Sequence, residues 1–195
     1  MIRRSGGQDN MRRFYNPAMS TYLGRLGDYN SWANRGLLEF LGRQPAETLD
    51  ATATGVYGTI RETFEHLLTS ELGYQRRLAG LPRYDLEGRP ERPTLEDLQQ
   101  IADESAASLT SLIEALPEPE TRLLTGSGNR AAATILTQLI THSAEHRAHI
   151  GTILGSNGIE PPDVDAWAHG IWVHGDDWPE DWGPEPPDRT TQKPD

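Results

Sequence analysis

The chain has 195 residues, of which 35% are hydrophobic and 24% charged, and its formal net charge is -11 at pH 7. This size suits one domain with a sizeable core, no apolar run approaches the roughly 18 residues of a membrane span, and the negative charge opposes binding to nucleic acid. Because the sequence has no cysteine, it has no disulfide and no thiol nucleophile, and a metal ion must bind to histidine or carboxylate oxygen.

The N-terminal residues 1–19 mix Arg, Gly, Asn and Pro without periodicity and predict a flexible arm. No apolar segment follows the arginines as it would in a secretory signal, so we expect a cytoplasmic protein with no membrane partner. From Ser20, a candidate N-cap, apolar and aromatic residues recur every three or four positions and predict a first helix that ends near Gly42. These residues are Tyr22, Leu26, Tyr29, Ala33, Leu37 and Phe40.

A second helix is predicted from about Thr59 to Leu78, after a connection over 46–57 that has no clear period. Its apolar sector contains Ile60, Phe64, Leu67 and Leu68. A neighbouring sector combines His66 with the small residues Thr59, Thr63, Ser70 and Gly73, which predicts a pocket wall. From this helix alone, a solvent-exposed His66 is the favoured interpretation, because most histidines are at least partly exposed.

Residues 80–93 are rich in Gly, Pro and charge and predict a surface loop. Thr94-Leu-Glu-Asp97 then has the pattern of a capping box, with Asp in place of Glu. Leucines at helical spacing predict a third helix that Pro117 ends. The turn-rich stretch 126–129 precedes the fourth helix, with Asn129 as its expected cap.

The fourth helix, over Ala131–Leu154, has an apolar stripe formed by Ile135, Leu139, Ile150 and Ile153, and three histidines fall inside it: His142, His146 and His149. One buried histidine is usually a core residue with a single hydrogen bond, but three within eight residues favour a shared cation. His142 and His146 have the i, i+4 spacing of a metal-binding pair. His149 lies about 10 Å from His142 along the axis, which places it beside the ligands or in the pocket wall. Arg147 points about 120° from the centre of the stripe, so we expect it to form a structural pair.

Beyond this helix the sequence repeats a short pattern, Trp167-x-His169-Gly followed by Trp172-x-His174-Gly. The segment either packs along the bundle or serves as a pocket cover or subunit contact, since exposed aromatic residues commonly mark interfaces. Residues 176–195 are rich in Asp, Glu and Pro and predict a disordered acidic tail. Four amphipathic helices within residues 20–175 thus predict an all-α four-helix bundle.

Three segments of the chain resemble the DinB-like, YfiT-like superfamily of bacterial metal-binding four-helix bundles. They are Tyr29-Asn-Ser-Trp32-Ala-Asn, His66-Leu-Leu-Thr-Ser-Glu71 and His142-Ser-Ala-Glu-His146-Arg147. Gly158-Ile-Glu-Pro-Pro162 with Asp165 extends the resemblance, which covers roughly Tyr22 to Trp167.

The resemblance implies a divalent ion, nickel or zinc with manganese as a further candidate, held by His66, His142 and His146. It therefore reverses the interpretation of His66 as an exposed residue. The sequence departs from the family where such proteins often have His-Arg-Gly-Gln, because here the segment is His146-Arg-Ala-His149. This difference keeps the implied ligands and changes the pocket floor.

Similar proteins include transferases that use low-molecular-weight thiols such as mycothiol or bacillithiol. Our first hypothesis is therefore a metal-dependent thiol S-transferase acting on an electrophilic small molecule, with Glu145 and His149 as catalytic candidates that orient a ligand imidazole. The second is a small-molecule hydrolase, because His142-x-x-Glu145-His146 formally matches the inverzincin signature. The third is a bundle that binds a metal or ligand in a stress response without catalysis. Since related bundles often pair, a homodimer is also a hypothesis.

Overall fold

The computed structural model describes residues 22–85, 87–115 and 132–176, and the side chains of residues 132 and 133 lie outside that description. Four long helices account for most of these residues: α1 (Tyr22–Gly42), α2 (Ile60–Leu78), α3 (Leu95–Ala115) and α4 (Ala132–Ser156). A 3-10 helix (Ala46–Asp50) follows α1, and a short helix α5 (Ala166–His169) continues into one π-helical turn (Gly170–His174). The all-α prediction is confirmed, since the described residues form no strand and only one isolated β-bridge.

The long helices form a bundle in which α1 packs on α3 and α4, and α2 also packs on α3 and α4. The apolar sector predicted for α2 lies in the core, where Ile60, Phe64, Leu67 and Leu68 are fully buried. The same main cluster includes Leu37 and Leu38 of α1, Leu98 of α3 and Ile150 and Ile153 of α4. The bundle is therefore organised around a core to which every long helix contributes.

The first half of α1 differs from its predicted apolar stripe. Tyr22 is 81% exposed, and the buried positions are instead Gly24, Gly27 and Asn30. A Cβ on Gly27 would lie 2.5 Å from Cδ1 at the end of the Ile113 side chain, so a larger residue at this position would require that side chain of α3 to move. Small residues thus face α3 here, which a search for apolar periodicity does not detect.

Two predicted helix starts are confirmed by their capping bonds. The Thr59 side chain accepts a hydrogen bond from the Glu62 backbone, and the Glu62 carboxylate accepts one from Thr59 N at 2.7 Å. At the start of α3, Thr94 N donates to Oδ2 of Asp97 at 2.7 Å while Asp97 N donates to the Thr94 hydroxyl. The shorter aspartate therefore completes the predicted capping box.

Several predictions concern residues outside the described ranges. They are the flexible arm, the Ser20 cap, the helix end at Pro117, the Asn129 cap and the tail from 177 onward. The connection over 46–57 contains the 3-10 helix as well as irregular chain. Within the described part of the chain, no helix is long and apolar enough to cross a bilayer.

Candidate metal centre

The centre is built from two helices that pack against each other. His66 lies in the middle of α2, and His142 and His146 lie one turn apart on α4. Because residues four apart on a helix project from the same side, both α4 imidazoles reach toward α2. The packing of α2 on α4 then brings His66 against this pair.

The three rings converge through their Nε2 atoms. His142 Nε2 lies 3.2 Å from His66 Nε2 and 3.2 Å from His146 Nε2. Ligand atoms bound tetrahedrally at about 2.0–2.1 Å from zinc are about 3.3 Å apart, which is close to both separations. His66, His142 and His146 thus form a group of the size and donor type that could hold a metal ion.

Hydrogen bonding alone cannot satisfy this arrangement. A neutral imidazole has one protonated nitrogen and one lone pair, so Nε2 of His142 can either donate once or accept once. With two Nε2 atoms at 3.2 Å, one of its two contacts is left without a hydrogen bond. A cation at the centre would accept all three lone pairs, so the donor set fits a divalent ion that favours imidazole.

The environment keeps the three rings neutral. Burial lowers the pKa of His66 and of His142, and a charge on His66 would lower the His142 pKa further. His146 is 7% exposed, and its burial, followed by the effect of His142, lowers its pKa to about 4. Their lone pairs are therefore available at pH 7, as metal binding requires.

Two tyrosines flank the cluster. Tyr57 stacks on His66 with ring centroids 4.6 Å apart and meets His146 edge-on at 5.3 Å, while Tyr74 meets His142 edge-on at 5.8 Å. Tyr57 is 44% exposed, so it lies where the cluster faces solvent. The sequence does not predict this contact, because Tyr57 belongs to an irregular segment that meets the histidines only in the folded chain.

The loop that carries Tyr57 is held in place by its neighbours. Thr52 and Thr59 form an antiparallel bridge, and the Thr52 hydroxyl donates to the carbonyl of Gly58 at 2.8 Å. The Thr63 hydroxyl donates to the carbonyl of Tyr57 itself. Gly58 has a φ of +53°, a backbone conformation that favours glycine. The position of the Tyr57 ring is thus built into the entrance to α2.

The two catalytic candidates occupy different surroundings. His149 is half-buried, and its ring centroid lies 5.3 Å from that of His146. Glu145 is exposed, and the Nδ1 atoms of His142 and His146 are buried without a hydrogen-bond partner in the described part of the chain. Neither candidate therefore orients a ligand ring through Nδ1 in this geometry. Their participation in catalysis stays a prediction.

A buried carboxylate lies where the four long helices meet. Glu71 of α2 is 1% exposed, and its Oε1 accepts hydrogen bonds from Asn30 Nδ2 at 2.7 Å and Asn34 Nδ2 at 2.9 Å. The hydroxyl of Ser143 on α4 donates to the same oxygen at 2.6 Å, and that of Ser105 on α3 donates to Oε2 at 2.6 Å. This network fixes the helices next to the histidines.

Arg147 lies in the core, contrary to the position that the helical wheel predicts for it. The helical wheel placed it away from the buried stripe, but it is 5% exposed and its Nη1 donates to Oδ1 of Asn30 at 2.8 Å and of Asn34 at 2.9 Å. Its guanidinium also lies 5.3 Å from the centre of the Tyr29 ring. The expected structural pairing is present, with amides as partners. The buried face of α4 is wider than its apolar stripe because α4 packs on both α1 and α2.

Together, fold and site define an all-helical bundle protein with a three-histidine cluster that could hold a metal ion. A family model described as the DinB family matches residues 19–175, well over half of the chain. The chain belongs to the DinB family, which confirms the resemblance. A comparison with curated proteins found no match.

Proposed function

We propose that the protein is a metal-dependent enzyme that transfers a low-molecular-weight thiol, of the mycothiol or bacillithiol type, to an electrophilic small molecule. The observation that carries the proposal is the convergence of three neutral Nε2 atoms beside the partly exposed ring of Tyr57. His66, His142 and His146 would hold the ion, with zinc or nickel preferred and manganese as a further candidate.

Three protein donors would leave a tetrahedral zinc ion one coordination position for a thiol or water, and His66, His142 and His146 offer three. An ion bound there would supply a Lewis acid that lowers the pKa of a thiol or water. Because the chain has no cysteine, the thiol must come from a second substrate.

The surrounding side chains support a small apolar or aromatic electrophile. The Tyr57 ring covers His66 and stays 44% exposed, so a planar substrate can stack on it or replace it against the imidazole. Tyr74 closes the other end of the cluster at His142. His149 is the better placed catalytic candidate, because its ring contacts that of His146 whereas Glu145 is exposed.

The hydrolase hypothesis has less support from this geometry. In the inverzincin pattern Glu145 would act as the general base, but its carboxylate is on the exposed face of α4. A general base must lie within hydrogen-bond reach of the proton it removes. The thiol-transfer assay described next also distinguishes a hydrolase and a non-catalytic metal-binding protein from a transferase.

The test uses untagged protein loaded with zinc or nickel, mycothiol or bacillithiol, and a haloalkyl bimane as the electrophile. In the expected reaction a carbon–sulfur bond forms, the carbon–halogen bond breaks, halide leaves and the thiol proton passes to buffer. Thioether formation is followed by fluorescence and mass spectrometry. His146→Ala should abolish the enzyme-dependent rate, with Gln138→Ala, at an exposed position of the same helix, as the control outside the cluster.

Metal binding without thioether formation, across several thiols and electrophiles, would overturn the transferase proposal. Ester or amide turnover that is lost in His146→Ala would then identify the hydrolase. Metal binding without either reaction would leave the non-catalytic role.

A further inference from the structure

A second group of donors lies between α1 and the C-terminal segment, away from the three-histidine cluster. It consists of Asp28, His169 and His174, whose ligand atoms lie within 4.8 Å of one another. His169 Nε2 lies 3.3 Å from Oδ2 of Asp28, and His174 Nε2 lies 3.5 Å from the same oxygen. We infer that this group is a second divalent-metal site, of the zinc type, that joins the C-terminal segment to α1.

The distances favour a metal site over a pair of hydrogen bonds. Charge-assisted N–H···O bonds are usually about 2.7–2.9 Å long, and both separations exceed that range. Nε2 of His169 is buried and makes no hydrogen bond among the described residues. Two ligand atoms around a tetrahedral zinc ion are about 3.3 Å apart, which agrees with the observed spacing.

The site is sheltered, as a specific site requires. The side chains of His169 and His174 are each 5% exposed, and that of Asp28 is 21% exposed. Aromatic rings cover His169, with the Trp32 ring 5.2 Å away and the Tyr29 ring 5.9 Å away. A carboxylate and two imidazoles in a low-dielectric setting form a donor set that matches zinc and similar divalent ions.

The backbone explains why two histidines five residues apart can share one partner. On an α-helix, positions i and i+5 are about 140° apart and do not face the same point. Here the chain changes after His169 from α-helix to one π-helical turn that ends at His174, and the wider turn brings the rings to a centroid separation of 4.8 Å. Gly175 then ends the turn with a φ of +73°.

This site also accounts for the Trp-x-His-Gly repeat. The glycine after each histidine stands where a side chain would be strained or crowded. Gly175 is left-handed, and a Cβ on Gly170 would lie 3.0 Å from Oδ2 of Asp176. The two histidines supply the donors, while Trp172 packs edge-on against Trp32 at 6.3 Å. The repeat thus serves to dock the segment on α1 and to build the site.

The first test is zinc stoichiometry in untagged full-length protein, measured by mass spectrometry after buffer exchange. We expect about two ions per chain in the parent, and about one in each of Asp28→Asn, His169→Ala and His174→Ala, because each removes one donor of the second site. His146→Ala should lose the other ion only. Asp176→Asn is the matched control, since Asp176 lies in the same segment but pairs with Arg25.

A second measurement keeps the inference testable if Asp28→Asn or His169→Ala fails to fold. Cobalt is added to the His146→Ala variant and to His146→Ala/His174→Ala, and tryptophan fluorescence is recorded. Because Trp32 is next to the site, quenching is expected in the first protein and should be lost in the second. One zinc ion in the parent, lost in His146→Ala and kept in His174→Ala, would overturn the inference, as would equal quenching of the two proteins.

Discussion

Glu71 and Arg147, a buried acid and a buried base, are joined through the same two side-chain amides. Asn30 and Asn34 each donate to Oε1 of Glu71 and accept from Nη1 of Arg147. The carboxylate and the guanidinium thus do not touch, and the two amides of α1 lie between the opposite charges. Removal of either charged group would leave one side of both amides without its partner and would leave the other charge uncompensated in the core.

Replacing Glu71 by alanine should therefore destabilise the protein strongly. Four hydrogen-bond donors would lose their acceptor and Arg147 would lose its compensating charge, so we expect a loss of about 3–5 kcal/mol in the free energy of unfolding. Urea unfolding followed by circular dichroism measures this loss. The exposed Glu145→Ala serves as the control and should change stability by no more than about 0.5 kcal/mol.

A double-mutant cycle tests whether the two charges act through one network. Arg147→Met removes the charge while keeping much of the volume, and should also be strongly destabilising. The double variant should lose less than the sum of the two single losses, because each change removes contacts that the other has already impaired. Strict additivity would show that Glu71 and Arg147 are independent.

Single variants test the proposed binding of a metal ion by His66, His142 and His146. His66→Ala, His142→Ala and His146→Ala should each lose one equivalent of zinc, with affinity reduced by more than the roughly 10–100-fold typical when only a supporting hydrogen bond to a ligand is removed. His149→Ala should retain the ion. If all four variants kept the same zinc content as the parent, His66, His142 and His146 would be polar core residues that bind no metal ion.

Stability of the metal-free protein should decrease as the pH falls from about 6.5 toward about 4. The unfolded chain takes up protons on its histidines near pH 6.5, whereas burial, with the neighbouring histidines, holds the pKa of folded His146 at about 4. A group with a depressed folded-state pKa contributes stability above its unfolded pKa and loses it as the pH falls through this window.

Thermal unfolding in the presence of a chelator, across this pH range, provides the measurement. His146→Ala should show a shallower decline than the parent, because it lacks the group with the most depressed pKa of the three. A parallel decline in both proteins would contradict the prediction, because it would mean that groups other than His146 produce the pH dependence.

Two glycine substitutions should change the free energy of unfolding in opposite directions. Gly58→Ala should cost about 1–2 kcal/mol, since the residue has a φ of +53° and a Cβ there would lie 2.6 Å from Oε2 of Glu62, within the capping box. Gly73→Ala, inside α2 with no atom near its Cβ position, should stabilise the protein by about 0.5–1 kcal/mol. Unfolding curves of both variants would test this, and a destabilised Gly73→Ala would contradict it.

The parts of the structure that depend on local chemistry could be predicted from the sequence. Apolar spacing predicted the extent of α2, and the residue types at Thr94 and Asp97 predicted the capping box at the start of α3. The cluster of His66, His142 and His146 needed the family resemblance as well, because nothing local says that α2 packs on α4. Helical periodicity predicts that His142 and His146 lie on the same side of α4, but it does not predict that His66 is the third member of the cluster.

The features that were missed depend on contacts between distant parts of the chain or on irregular local backbone. Arg147 and Asn30 are polar, so apolar periodicity assigns them to the surface, and their hydrogen bonds within the Glu71 network make burial favourable. Tyr57 has no periodic context at all. The pairing of His169 with His174 requires a π-helical turn, which residue spacing on an ideal α-helix cannot reveal.

On α4, neighbouring residues serve two different tasks. Ser143 and Arg147 hold the helices in register, while His142 and His146, each one position earlier, face the cluster. The scaffold and its chemistry can therefore be redesigned separately. An engineer could exchange the imidazoles for other donors, or for apolar residues shaped around a dye or drug, and rely on the amide, carboxylate and guanidinium contacts to keep the backbone in place.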